Sequence, residues 1–70
     1  MNQSLSGKNY CILYWLNGEE LLDSEHATLD EAVKRFSYLK ENWEDVFAVG
    51  LTAIELTDQY FDEIEQFKPE

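Results

Sequence analysis

The chain is short of cations, cysteine, proline and glycine. Five Lys or Arg stand against fifteen Asp or Glu in seventy residues, a formal net charge of −10. Binding to nucleic acid or anionic lipid by counterion release needs clustered Lys and Arg, so that class is excluded. One cysteine, Cys11, excludes an internal disulfide and fits a reducing compartment. Cys11 and His26 are the chain's whole supply of Cys and His, too few for a zinc site built from four such ligands. The three glycines include Gly18 and Gly50, which belong to no phosphate-binding motif, and they leave little room for a deep catalytic cleft. No run approaches the roughly 18 apolar residues of a membrane span. Residues 1–8 hold no apolar stretch, which predicts no signal peptide. The expectation is a soluble cytoplasmic protein, in the host cytoplasm if it is phage-encoded.

What is present argues for a folded domain. Hydrophobic residues make up 44% and aromatics 14%, with a single proline. Disordered acidic chains are poor in aromatic and β-branched residues. Seventy residues allow one domain. Residues 1–8 are expected to form a flexible arm and residues 9–68 a single α+β domain.

Asn9 to Leu16 is an apolar run rich in aromatic residues, followed directly by Asn17-Gly18. Asn-Gly tolerates the positive φ angles of a type I′ turn, so a hairpin is predicted, with strand two over Glu19 to Ala27. Thr28 and Glu31 have the spacing of a capping box. Behind them Leu29, Ala32, Val33, Phe36, Leu39 and Trp43 recur at helical spacing. That helix should end near Asn42 to Glu44. Val46 to Thr57 reads as a third strand. Its apolar parity changes between Ala53 and Ile54, which predicts a bulge with Gly50 as its companion. Tyr60, Phe61, Ile64 and Phe67 fall at helical spacing and predict a short acidic C-terminal helix.

The element order gives a three-stranded antiparallel sheet of order 2-1-3, a ββαβ(α) arrangement with one main helix on one sheet face. A two-residue turn pairs Leu16 with Glu19, Tyr14 with Leu21 and Ile12 with Asp23. In that register Cys11 and His26 share a face, so a Cys-His pair is geometrically allowed; a lone strand cysteine is more simply a small core residue. The face carrying Asp23 and Glu25 is expected to be open, showing Tyr10, Ile12 and Tyr14 to a partner. The C-terminal helix would cover some of that face or leave an apolar patch of the kind that marks a binding site.

The charge is uneven. Residues 1–40 carry a net −2 and residues 41–70 a net −8. Glu41, Glu44, Asp45, Glu55, Asp58, Asp62, Glu63 and Glu65 are expected to form an acidic stripe, interrupted by Trp43, Tyr60 and Phe61. Such a stripe imitates a phosphate backbone and is steered onto basic surfaces. The sequence therefore points to a non-enzymatic inhibitor that occupies the basic nucleic-acid-binding surface of a larger protein, with no cofactor, metal or membrane. In size and charge alone this is similar to anti-CRISPR and anti-restriction proteins of phages and mobile elements. The other reading is a homodimeric adaptor paired through the open sheet face, its acids serving only solubility.

Overall fold

The computed structural model describes residues 9–47 and 49–69. The expected arm, residues 1–8, lies outside the described residues. Six elements follow in order: β1 (Tyr10–Leu16), β2 (Glu19–His26), α1 (Leu29–Glu41), the single turn α2 (Trp43–Val46), β3 (Leu51–Asp58) and β4 (Glu63–Phe67). The strands form one antiparallel sheet of order β2-β1-β3-β4. The α+β class and the 2-1-3 core of the sheet agree with the sequence reading. A fourth strand extends that sheet.

The hairpin forms where Asn-Gly demands it. Asn17 has φ 55° and Gly18 φ 84°, as a type I′ turn requires. Thr28 caps α1, its hydroxyl accepting from the Glu31 amide at 3.2 Å. Asp30 and Glu31 lie in the first turn and Lys40 in the last, each the sign the helix dipole favours. Asn42 ends the helix, both its backbone and side-chain N–H groups donating to the Tyr38 carbonyl. The chain then makes the turn α2 and enters β3 only at Leu51, later than the apolar pattern predicts.

Residues 59–67 do not form the expected helix. Asp58 does act as a cap, but it closes a turn between strands. Its Oδ1 accepts from the amides of Tyr60 and Asp62 at 2.8 and 3.0 Å. The Asp58 amide donates to the Asp62 carbonyl, and the chain returns as β4. Two physical reasons favour this outcome. A helix of nine residues is marginal by itself. The edge of β3 also offers unpaired backbone groups that β4 satisfies.

The helix packs on the face that the sequence reading expects to be open. Ile12, Ala32, Phe36, Leu39, Ile54 and Leu56 form the buried core. Tyr10, Tyr14, Trp43, Phe47, Leu51 and Phe67 pack around them. The Tyr14 and Phe47 rings lie 4.7 Å apart and tilted by 49°. Each large side chain buried here contributes about 1.5–3 kcal/mol. The reversal follows from a bulge in β2. The register is as expected from Leu16–Glu19 to Tyr14–Leu21, but Ile12 pairs with Ser24 instead of Asp23. Asp23 is the extra residue. Its carboxylate is not left facing solvent: Arg35 on α1 reaches down to it. The parity change in β3 is also a bulge, with Thr52 as the extra residue, so Leu51, Ile54 and Leu56 all face the helix.

Candidate functional site: the outer sheet face

The face turned away from α1 follows from strand alternation and register. It carries Cys11, Leu13 and Trp15 of β1, flanked by Glu25, Leu22 and Glu20 of β2. On the other side stand Thr57, Glu55 and Ala53 of β3. Gln66 and Glu63 of β4 complete it. No helix lies over it among the described residues. The turn between β3 and β4 projects Phe61 toward it, and that residue holds φ 65°. Phe61, Leu22, Leu13, Cys11, Leu21, Glu20 and Glu25 together line a hollow of about 280 Å³. Cys11 and Leu13 form its buried part, whereas Leu22 and Phe61 are exposed.

The strands hold eight Asp or Glu and no Lys or Arg, and four of these acids, Glu20, Glu25, Glu55 and Glu63, lie on this side. Helix α1 holds three acids and three bases, and is neutral. The helix cations are partly committed on their own side. Arg35 donates from Nε and from its Nη2 to the two carboxylate oxygens of Asp23, at 2.9 and 3.0 Å. Lys40 stands 4.0 Å from Glu65. On the outer face the carboxylates meet each other. Burial pushes the Glu55 carboxyl above the usual carboxylate range. The nearby charges of Glu63 and Glu20 raise it further, against a stabilising hydrogen bond from Gln66. Burial likewise raises the Cys11 thiol, with the charge of Glu25 adding to it. A thiol kept protonated is a poor nucleophile.

The expected site residues are therefore redistributed. Tyr10, Ile12 and Tyr14 lie on the helix side, Ile12 fully buried in the core and Tyr10 and Tyr14 half-buried against it. Trp43 packs against that same core. Glu41, Glu44 and Asp45 are placed at the end of α1 and on α2, away from the sheet's outer face. Glu65 faces the helix side beside Lys40. Asp58 spends its carboxylate on its own turn. Asp62 and Tyr60 are exposed in that turn. Of the expected stripe only Glu55 and Glu63 lie on the outer face, joined there by Glu20 and Glu25, which sequence reasoning misses. Phe61 stays a surface aromatic, now beside these four. The β2 bulge also separates Cys11 from His26, because Cys11 pairs with Glu25 on the outer face and His26 lies on the helix side.

A second polar cluster sits at the helix side of β2. Ser24 Oγ donates to Asp23 Oδ2 at 2.7 Å and lies 2.8 Å from His26 Nε2. The role of the ring nitrogen toward Ser24, donor or acceptor, follows the His26 tautomer. Burial acts against the charge on Asp23. The hydrogen bonds from Arg35 and Ser24, with the positive charge of Arg35, outweigh it and hold the carboxyl below its usual range. The cluster ties the edge strand to the helix. Among the described residues no three His, Cys, Asp or Glu side chains group so as to hold a metal ion. No helix among them is long and apolar enough to cross a membrane.

The fold and this face define a class: a small ββαββ domain with a one-signed outer sheet surface. No protein-family model, curated protein or solved structure matches the chain.

Proposed function

We propose that the protein is a non-enzymatic binding module whose acidic sheet occupies a basic surface of a larger protein, most specifically a nucleic-acid-binding surface, and so inhibits it. The observation that carries this reading is the outer sheet face, where Glu20, Glu25, Glu55 and Glu63 stand around an apolar centre and the strands supply no base. Fixed carboxylates on a rigid sheet steer the module onto cationic grooves and make the association salt-sensitive. An apolar centre within them supplies the desolvated anchor that a charged rim alone lacks. An anti-CRISPR or anti-restriction role is the setting in which such an inhibitor operates.

Self-pairing through the same face is the competing reading. A twofold pairing would bring the face that carries Glu20, Glu25, Glu55 and Glu63 against the same face of a second copy, and like charges brought together are destabilising. The charge therefore favours a basic partner over a second copy.

The test is affinity capture from a cell lysate on the immobilised chain at low and raised salt. Each captured protein is then assayed for nucleic-acid binding with and without the module. Salt-sensitive capture with loss of nucleic-acid binding is the expected result. Capture of no nucleic-acid-binding protein at low salt overturns the reading. A salt-indifferent dimer by light scattering would favour self-pairing.

A further inference from the structure

We propose that the hollow between Phe61 and the β1–β2 hairpin is a socket for one arginine side chain presented by the partner. This rests on the reading that the outer face meets a basic protein surface, and it names the group recognised. The hollow, about 280 Å³, is near the lower end of the ~300–1,000 Å³ of small-molecule pockets, and one long side chain fits within it. Its wall is divided in the way an arginine is divided. Leu13, Leu22 and Phe61 supply apolar surface for the aliphatic stem, and Glu20 and Glu25, at the two ends of the hollow opposite Trp15 and Cys11, each offer a carboxylate for the guanidinium to pair with.

Three observations favour arginine over other occupants. An apolar side chain would leave Glu20 and Glu25 partly desolvated with no counter-charge, which costs free energy. The strands contain no Lys or Arg, so none of the strand residues that line the hollow supplies a cation. Phe61 stands in the wall as an aromatic surface, and a guanidinium stacks on an aromatic ring while forking to carboxylates, which an ammonium does less well. Glu55 and Glu63 lie further along the same face. Their crowding is relieved by any cation that arrives, which adds attraction without belonging to the socket.

The experiment uses the intact chain and the blocked peptide acetyl-Gly-Arg-Gly-amide, followed by amide and methyl NMR shifts at low salt. Shifts should concentrate at Cys11, Leu13, Leu22 and Phe61 and be absent along α1. The same peptide with a guanidinium on a one-carbon stem loses two methylenes of contact and should bind about tenfold more weakly. The double variant E20Q/E25Q should weaken binding about fivefold while keeping the folded spectrum. A lysine peptide should bind more weakly than arginine; equal affinity overturns the choice of arginine. Shifts centred on Glu41, Glu44 and Asp45 overturn the socket and leave the anionic-module reading standing. So does an absence of shifts in a chain that still captures a nucleic-acid-binding protein in a salt-sensitive way. An absence of both overturns the parent reading as well.

Discussion

The Asn17 amide donates to the Gly50 carbonyl at 2.9 Å, and the Asn17 side chain occupies the space a Gly50 Cβ would need. The tip of the first hairpin is thus docked on the segment entering β3. Gly50 also holds φ +109°, whereas Gly18, at φ +84°, has open space for 4 Å around the position a Cβ would take. Gly18→Ala should cost the backbone term alone, about 1 kcal/mol. Gly50→Ala should cost more, roughly 2 kcal/mol, because Asn17 must also move. Urea denaturation of both variants checks the order; equal losses would show that the hairpin tip does not depend on this contact.

Asp23 and Arg35 join the edge strand to the helix through two parallel N–H···O bonds. The Asp23 side chain is 11% exposed and that of Arg35 38%, so solvent screens the pair in part. Asp23→Asn should cost about 1 kcal/mol, below the ~1.5–3 kcal/mol of a well-buried charged hydrogen bond. The Asp23 carboxyl is held below its ordinary range, so its contribution is fully present above the unfolded Asp value and is lost as pH falls through the lowered folded value. Acid unfolding of the wild type and D23N, compared between about pH 5 and pH 2, measures it. The difference between the two proteins should shrink toward the acid end.

Glu55 has the opposite sign. Its carboxyl is raised, first by burial and then by Glu63, so folding disfavours its charge. The stability this group contributes is present below the unfolded Glu value and is lost as pH rises through the raised folded value. Glu55→Gln should therefore stabilise the free protein at neutral pH, by a few tenths to about 1 kcal/mol, the range of cross-strand pair effects. The gain should vanish below the ordinary Glu range. Its binding to a basic partner should weaken at the same time. Residues that stabilise on removal and weaken binding on removal are those retained for function. Thermal melts across pH, paired with capture at low salt, decide it; stabilisation with undiminished capture would separate Glu55 from the contact.

How much of this is legible in the sequence differs by residue. The Asn17-Gly18 turn and the Thr28 cap are local devices, and the structure shows both where the sequence places them. β4 is not local. Tyr60, Phe61, Ile64 and Phe67 satisfy a helical period, and what decides against a helix is the free edge of β3, a partner that periodicity does not register. The choice of face turns on a single extra residue, Asp23, which bulges toward an arginine twelve positions away. The same step moves Glu25 to the outer face and His26 away from Cys11. The acidic excess is plain in the composition. Which four of the eight strand acids reach the outer face depends on pairing, and pairing is set by tertiary contacts.

Phe61 offers the sharpest separation of folding from function. A phenylalanine at φ 65° sits in the left-handed region, a backbone position that costs a residue with a Cβ about 1–2 kcal/mol. It is 59% exposed, so it gives back little by burial in the free chain. Phe61→Gly removes that strain and should leave stability unchanged or raised. Phe61→Ala keeps the strained backbone and should be about 1 kcal/mol less stable than the glycine variant. Both variants lose the wall of the hollow, so both should lose arginine-peptide binding to the same extent. The alternative is that Phe61 is a core residue, in which case both variants would lose the ~3–5 kcal/mol typical of a buried phenylalanine, the glycine variant by about 1 kcal/mol less. Denaturation and peptide titration on the two variants distinguish these outcomes, because a core role predicts a large loss of stability in both variants and a contact role predicts little loss in the glycine variant.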